Sequence, residues 1–117
     1  MKTPTIIQGG MGIGVSHWPL ARAVSQTGQL GVVSGAGINT VLLRRLQRGD
    51  PNGDIRRAMA SFPHPEISEA FLEDYYVPSG KDPHKPYKRS PLFSIHPNRR
   101  LEQLTVLGSF VEVFLAK

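Results

Sequence analysis

The sequence predicts an α/β fold, and the main evidence is a pair of short apolar runs that each end in a glycine-rich turn. Residues 5–8 form the first run, and the glycine-dense turn 9–14 follows it. A helical pattern comes next, and a second run, residues 30–34, ends in the turn 34–37. Strand, helix and strand within about 30 residues is the size of one βαβ unit. The second run is continuous, which is typical of a parallel strand buried on both faces.

The helix between the two runs is expected over about residues 17–27. Its apolar side chains recur at intervals of three and four residues, which places them on one helical face. Gly28 follows as the kind of residue that commonly ends a helix. Both glycine turns therefore lie at the carboxyl ends of parallel strands, the edge where ligands bind in α/β folds.

Four more helices are predicted downstream from capping residues and apolar periodicity. The first is capped by Asn39 or Thr40 and runs through Arg48. The others are expected at about 55–61 with Asp54 as the cap, in a segment that begins at Pro65, and at 99–116 with Asn98 as the cap. The β-rich run 110–115 favours a strand as the alternative at the end of the last helix. Residues 77–98 hold five prolines and are basic, so we expect an irregular excursion over the surface, with a functional lid as the alternative. Tyr87 and Phe93 are its candidate anchors.

Length and composition narrow the class of protein. The chain has 117 residues, which allows one domain at most, and no cysteine, which excludes a disulfide framework. The four histidines are scattered, so we expect no metal site. There is no secretory signal and no stretch long enough to span a bilayer, so a cytoplasmic protein without membrane contact is expected. The net charge of +5 favours an anionic partner, yet the bases form no stripe, so we expect no nucleic acid.

The first glycine turn is the strongest candidate for a binding site. Glycine allows a ligand to approach the backbone, and N–H groups just before a helix bind anionic or heteroaromatic groups. A dinucleotide fingerprint is disfavoured, because Gly10, Gly12 and Gly14 are spaced G-x-G-x-G and no acidic residue precedes Asp50. A phosphate-binding Walker loop fails because no Gly-Lys-Ser/Thr follows. We expect the turn to hold the edge of a flavin ring, and a turn without a ligand stays open as the alternative.

The motif Ile-Ile-Gln-Gly-Gly-Met-Gly at residues 6–12 resembles the opening of the nitronate monooxygenase family, formerly called 2-nitropropane dioxygenases. The match includes Leu-Ala-Arg-Ala-Val-Ser at residues 20–25 and Leu-Gly-Val-Val-Ser-Gly at residues 30–35, and it covers about the first 45 residues. The remainder looks like a helical insertion in one bacterial branch. Flavin-dependent enoyl-ACP reductases are relatives of this family.

This resemblance implies the amino-terminal part of a TIM-type (β/α)8 barrel with a helical insertion. It implies an FMN-dependent oxidoreductase that acts on a small-molecule substrate, namely the oxidative denitrification of alkyl nitronates with O₂. A reductase that takes hydride from NAD(P)H is the alternative. The resemblance places the backbone of the first turn against the isoalloxazine ring, and the second turn beside it. The implied cofactor-binding residues are Gly9, Gly10, Met11, Gly12, Ser34 and Gly35.

The chain departs from the family in length. A full barrel needs about 250 residues, whereas this chain has two clear strands. We therefore expect residues 1–117 to be an amino-terminal fragment of one FMN-binding domain, divided into a βαβα core (1–49), a helical and proline-rich insertion (50–98) and a helix (99–117). None of the histidines matches the family's catalytic position, so no catalytic residue is assigned. An inactive fragment and a small basic anion-binding module are the remaining alternatives, and the oligomeric state is not predicted.

Overall fold

Five α-helices dominate the part of the chain that the structure describes. The computed structural model describes residues 3–13, 17–91, 95–96 and 98–117. The helices are α1 (Trp18–Gln26), α2 (Ile38–Gln47), α3 (Asp54–Ala60), α4 (Pro65–Tyr75) and α5 (Arg99–Ala116). The five predicted helices are thus confirmed, with α2 beginning at Ile38, before the expected caps Asn39 and Thr40. The other predicted boundaries lie within one or two residues of the observed ones. The strand alternative at 110–115 is wrong, because those residues continue α5.

The predicted fold class, a portion of a TIM-type α/β barrel, is wrong. The described residues contain no strand and no sheet, and the protein is a helical domain. The two apolar runs meet in a single isolated parallel bridge between Ile7 and Leu30. Neither run has a second neighbour among the described residues, so Ile6 stays 61% exposed and Ile7 63% exposed. The second run was predicted to be buried on both faces, but Leu30 is 42% exposed and residues 31–34 are only half-buried.

The hydrophobic core lies around α5, which packs against each of the other helices. Its side chains Leu104, Leu107, Val111 and Leu115 are almost fully buried. Apolar residues at i, i+3, i+7 and i+11 of a helix share one face, and this face is the one that the other helices cover. Most of the remaining large core side chains come from α2, α3 and α4, and Phe62 adds one from the turn between α3 and α4. Among them are Leu42, Leu43, Leu46, Ile55, Met59 and Phe71.

The carboxyl end of α2 crosses the irregular segment that follows α4. Gly49 has a φ of +95°, and a Cβ at this position would lie 2.6 Å from the backbone nitrogen of Gly80. Val77 N donates to Leu46 O at 3.2 Å, and Lys81 N donates to Gln47 O at 2.8 Å. The last carbonyls of α2, which have no partner inside the helix, are thus satisfied by this segment. The described part of the expected excursion is irregular, and it is fastened to α2 along its length.

Candidate functional site

The two glycine turns lie at the same end of a short pair of parallel segments. Gln8 N donates to Leu30 O at 3.0 Å, and Leu30 N donates to Ile6 O at 3.1 Å. The Gln8 side chain extends the pairing, since its Nε2 donates to Val32 O at 3.0 Å and its Oε1 accepts from Val32 N at 3.1 Å. Because the segments run in parallel, the turns that follow them emerge on one side. Ile13 lies against Gly37, where a Cβ would be 3.0 Å from Ile13 Cδ1.

The predicted flavin-contacting residues form an open surface at this end. Gly9, Gly10, Gly12 and Gly35 are exposed, and Met11 is 43% exposed. Ser34 is half-buried, and its Oγ accepts a hydrogen bond from Ala36 N at 3.2 Å, which fixes the second turn. The structure therefore brings the two turns together and leaves their backbone accessible.

The packing of the described residues does not require glycine at Gly9, Gly10, Gly12 or Gly35. A Cβ at any of these positions would meet nothing within 4 Å among the described residues, and none has a φ in the left-handed region. Gly31 differs, because a Cβ there would overlap the Ala21 carbonyl oxygen of α1. Among the described residues, neither steric contact nor a left-handed backbone conformation therefore explains the four exposed glycines.

A second cluster of functional groups surrounds Tyr87. The guanidinium of Arg44 lies 5.0 Å from the ring centroid, that of Arg48 lies 5.7 Å away, and Lys81 Nζ lies 4.5 Å away. Arg48 Nε also donates to the Tyr87 hydroxyl at 2.9 Å. Tyr87 was expected to anchor the irregular segment and does so through these contacts. The other expected anchor, Phe93, lies outside the described residues.

The hydrogen bond from Arg48 holds the pKa of the Tyr87 phenol below its ordinary value of 10.0. Burial opposes this effect, and the charges of Arg48, Lys81 and Arg44 add to it. A lowered pKa in the folded state means that the phenolate favours folding. That contribution is fully present above the pKa of the unfolded chain and is lost as the pH falls through the folded value.

We expect Arg48→Gln to raise the Tyr87 pKa back toward its ordinary value, because the donated hydrogen bond and one charge are lost. The measurement is an ultraviolet difference titration of the native chain against Tyr87→Phe, which isolates this phenol from Tyr75 and Tyr76. Arg99→Gln removes an exposed charge from a different helix and serves as the control. An unchanged titration in Arg48→Gln would contradict the role of this hydrogen bond.

Two pockets flank the cluster and share Thr40 and Arg44. The larger has a volume of about 580 Å³ and is also lined by Tyr87, Lys88 and Arg89. The smaller, about 260 Å³, is lined by basic groups of α2 and by Ile13 and His17 from the segment before α1. His17 Nδ1 is buried without a hydrogen-bond partner among the described residues. Both pockets are therefore basic.

Glu112 has a structural role that the sequence interpretation missed. Although it carries a carboxylate, it is only 4% exposed. Its Oε1 pairs with Arg45 of α2, and its Oε2 accepts from Trp18 N at 2.8 Å at the start of α1. One carboxylate of α5 thus joins two other helices. Glu102, the other glutamate of α5, lies on the exposed face of that helix.

No catalytic acid or base emerges from the remaining titratable residues that the structure describes. His64 Nδ1 lies 3.6 Å from Glu66 Oε1, but both side chains are exposed and belong to neighbouring positions at the start of α4. No group of three or more potential metal ligands occurs among the described residues. The glycine turns and the Tyr87 cluster are therefore the two candidate sites.

No family model, curated protein or solved structure matches the chain. The class that the described residues define is a five-helix domain that carries a pair of exposed parallel segments. None of its helices combines the length and the apolar character needed to cross a membrane, within the part of the chain that is described.

Proposed function

We propose that the two glycine turns contact the isoalloxazine ring of FMN in an oxidoreductase similar to nitronate monooxygenases. The observation that carries the proposal is the set of four exposed glycines that the internal packing does not require. Glycines clustered on one accessible rim allow a planar ring to approach bare backbone N–H and C=O groups. The resemblance of residues 6–12 and 30–35 to that family supplies the chemical class of the ligand.

Each group on the rim has a defined task in this proposal. The backbone of Gly9, Gly10 and Gly12 lies against one edge of the ring, and Gly35 approaches it from the second turn. Met11 supplies a polarizable apolar contact. The protein positions the flavin, and FMN when bound transfers electrons from the nitronate to O₂.

Exposed apolar side chains around the rim support the proposal that these segments form only part of a flavin site. Ile6, Ile7, Ile13 and Leu30 are large apolar side chains that are 42–66% exposed. Parallel segments with apolar side chains are normally covered on both faces and at their edges. We therefore infer that residues beyond those described complete the site, and that residues 1–117 alone bind FMN weakly and tend to associate.

The direct test is the flavin content of the polypeptide that carries this sequence, expressed in its natural reading frame. We expect visible flavin absorbance and consumption of O₂ with the nitronate of 2-nitropropane. Absence of bound flavin would overturn the proposal. Turnover of an enoyl thioester with NAD(P)H, instead of the nitronate, would retain the cofactor and overturn the substrate class.

Gly10→Val and Gly35→Val test the rim itself. We expect each to weaken FMN binding at least about tenfold, equivalent to about 1.4 kcal/mol, because the added side chain blocks the approach of the ring. The free energy of unfolding should change by no more than about 0.5 kcal/mol, since a Cβ there meets no described atom. Flavin titration and denaturant unfolding measure the two effects. The matched control is Ala60→Val, which adds bulk to an exposed position of α3. Equal FMN affinity in all three variants would contradict the proposed contact.

A further inference from the structure

Three basic side chains converge on the ring of Tyr87. Arg44, Arg48 and Lys81 all approach one ring, at 4.5–5.7 Å from its centroid. Among the described residues, none of the three forms a salt bridge with an Asp or a Glu, whereas Arg45, Arg56, Arg57 and Arg100 each have one. Like charges held close together repel, and a bound anion relieves this repulsion.

We propose that Arg44, Arg48 and Lys81, together with the larger pocket beside them, bind the phosphate group of a small phosphorylated ligand. The phosphate site is separate from the proposed flavin rim, and the binding of phosphate does not depend on whether FMN binds at the rim. The two arginines offer the planar donor pairs that suit phosphate oxygens, and Lys81 adds a point charge.

The lining of the pocket fits this ligand chemistry. Besides Arg44, its walls carry Lys88 and Arg89, and the hydroxyl groups of Thr40 and Ser90. In the part of the chain that the structure describes, no acidic residue lines either this pocket or the smaller one. Cations and hydroxyl donors with no competing carboxylate are the usual surroundings of a bound phosphate.

The walls of the pocket are held in place before any ligand binds. The buried Gln47 side chain accepts from Lys88 N at 2.6 Å and donates to Leu43 O at 3.2 Å. The Tyr75 hydroxyl donates to Arg89 O at 3.0 Å. Because these hydrogen bonds already fix the backbone of the irregular segment, the binding of a ligand would cost little conformational entropy.

A small ligand fits these observations better than a nucleic acid. Single-stranded nucleic acid is usually held by exposed aromatic rings along a basic groove. Among the described residues, Tyr87 is the only tyrosine, tryptophan or phenylalanine that lines either pocket, and cations approach its ring. Within that part of the chain the site presents charge and hydroxyl groups and no row of stacking rings.

The test is calorimetric titration of the 117-residue chain with inorganic pyrophosphate at low ionic strength, with inorganic phosphate in parallel. We expect saturable binding of pyrophosphate, weakened at least about tenfold by Arg44→Gln and by Arg48→Gln, each of which removes one donor pair. Both side chains are exposed, so both variants should fold, which circular dichroism verifies. Arg99→Gln, which removes the same charge from the exposed start of α5, should bind as the native chain does.

Titration of Tyr87 gives a second measurement. Diffuse attraction of pyrophosphate to the basic chain would leave the pKa of Tyr87 unchanged. Bound pyrophosphate offsets the cations around the ring, so the pKa of Tyr87 should rise when the ligand is added.

Undetectable pyrophosphate binding overturns the proposal. Equal loss of affinity in Arg44→Gln and Arg99→Gln also overturns it, because it would show diffuse attraction. Tighter, steeply salt-dependent binding of an oligonucleotide would assign the cluster to nucleic acid and overturn it as well. A lack of flavin at the glycine rim would leave each of these outcomes unchanged.

Discussion

Glu112→Ala is expected to lower the free energy of unfolding by about 3–5 kcal/mol, the usual cost of leaving one member of a buried ion pair without its partner. Glu112 is only 4% exposed, and its carboxylate pairs with Arg45 while it accepts from Trp18 N. Removing it leaves the Arg45 guanidinium partly buried beside an apolar helix face. It also removes the acceptor at the start of α1. Denaturant unfolding of the variant measures the loss.

Two further variants separate the ion pair from general disruption of α5. Glu102→Gln changes an exposed carboxylate on the same helix and should cost less than about 1 kcal/mol. The double variant Arg45→Met with Glu112→Leu should be more stable than Glu112→Leu alone, because it buries no unpaired charge. If the double variant is the less stable of the two, the charge of Arg45 is not what makes the single replacement costly.

Gly49→Ala is expected to destabilise the protein by about 3 kcal/mol or more, since it combines backbone strain with a steric overlap. Its φ of +95° is unfavourable for any residue with a side chain, and the new Cβ would lie 2.6 Å from Gly80 N. The segment that contains Gly80 would have to move away from the end of α2. The hydrogen bond from Lys81 N to Gln47 O would then be lost.

Gly28→Ala is the matched control for this replacement. Gly28 has a φ of +84°, but a Cβ there meets no described atom within 4 Å. Its replacement carries the conformational cost alone, about 1 kcal/mol. Thermal unfolding of both variants compares the two costs, and equal destabilisation would show that the crossing of Gly49 and Gly80 contributes nothing.

The helices were predictable from sequence because their signals are local. Apolar spacing located all five, and Asn98 caps α5 as predicted, with its side chain accepting from Leu101 N at 3.1 Å. The cap expected for α2 at Asn39 or Thr40 was predicted wrongly, because that helix begins directly after Gly37. The cap of α3 was predicted wrongly as Asp54. Asp50 provides it instead, accepting from Ile55 N and Arg56 N, because the intervening turn brings its side chain back to the helix start. This capping by Asp50 depends on the φ of +44° at that residue, and this backbone conformation cannot be read from the sequence.

The fold class was not predictable in the same way, because a sheet depends on neighbours that local patterns do not specify. Residues 5–8 and 30–34 have the composition of strands, yet in the described chain each pairs only with the other. The side-by-side position of the glycine turns did follow from their parallel order. The Tyr87 cluster did not, since Arg44 and Tyr87 are far apart in sequence and meet only through the crossing at Gly49. The pairing of Arg45 with Glu112 was missed for the same reason.

The central position of α5 affects how the chain acquires its structure during synthesis. Helix α1 packs against α5 and against no other helix of the described chain, although most of the sequence separates them. While the ribosome is still making the middle of the chain, α1 has no helix to dock on, and the apolar faces of α2, α3 and α4 lack their common partner. We expect the nascent polypeptide to stay loosely collapsed and open to chaperones until residues 99–116 emerge, when the domain closes in one late step.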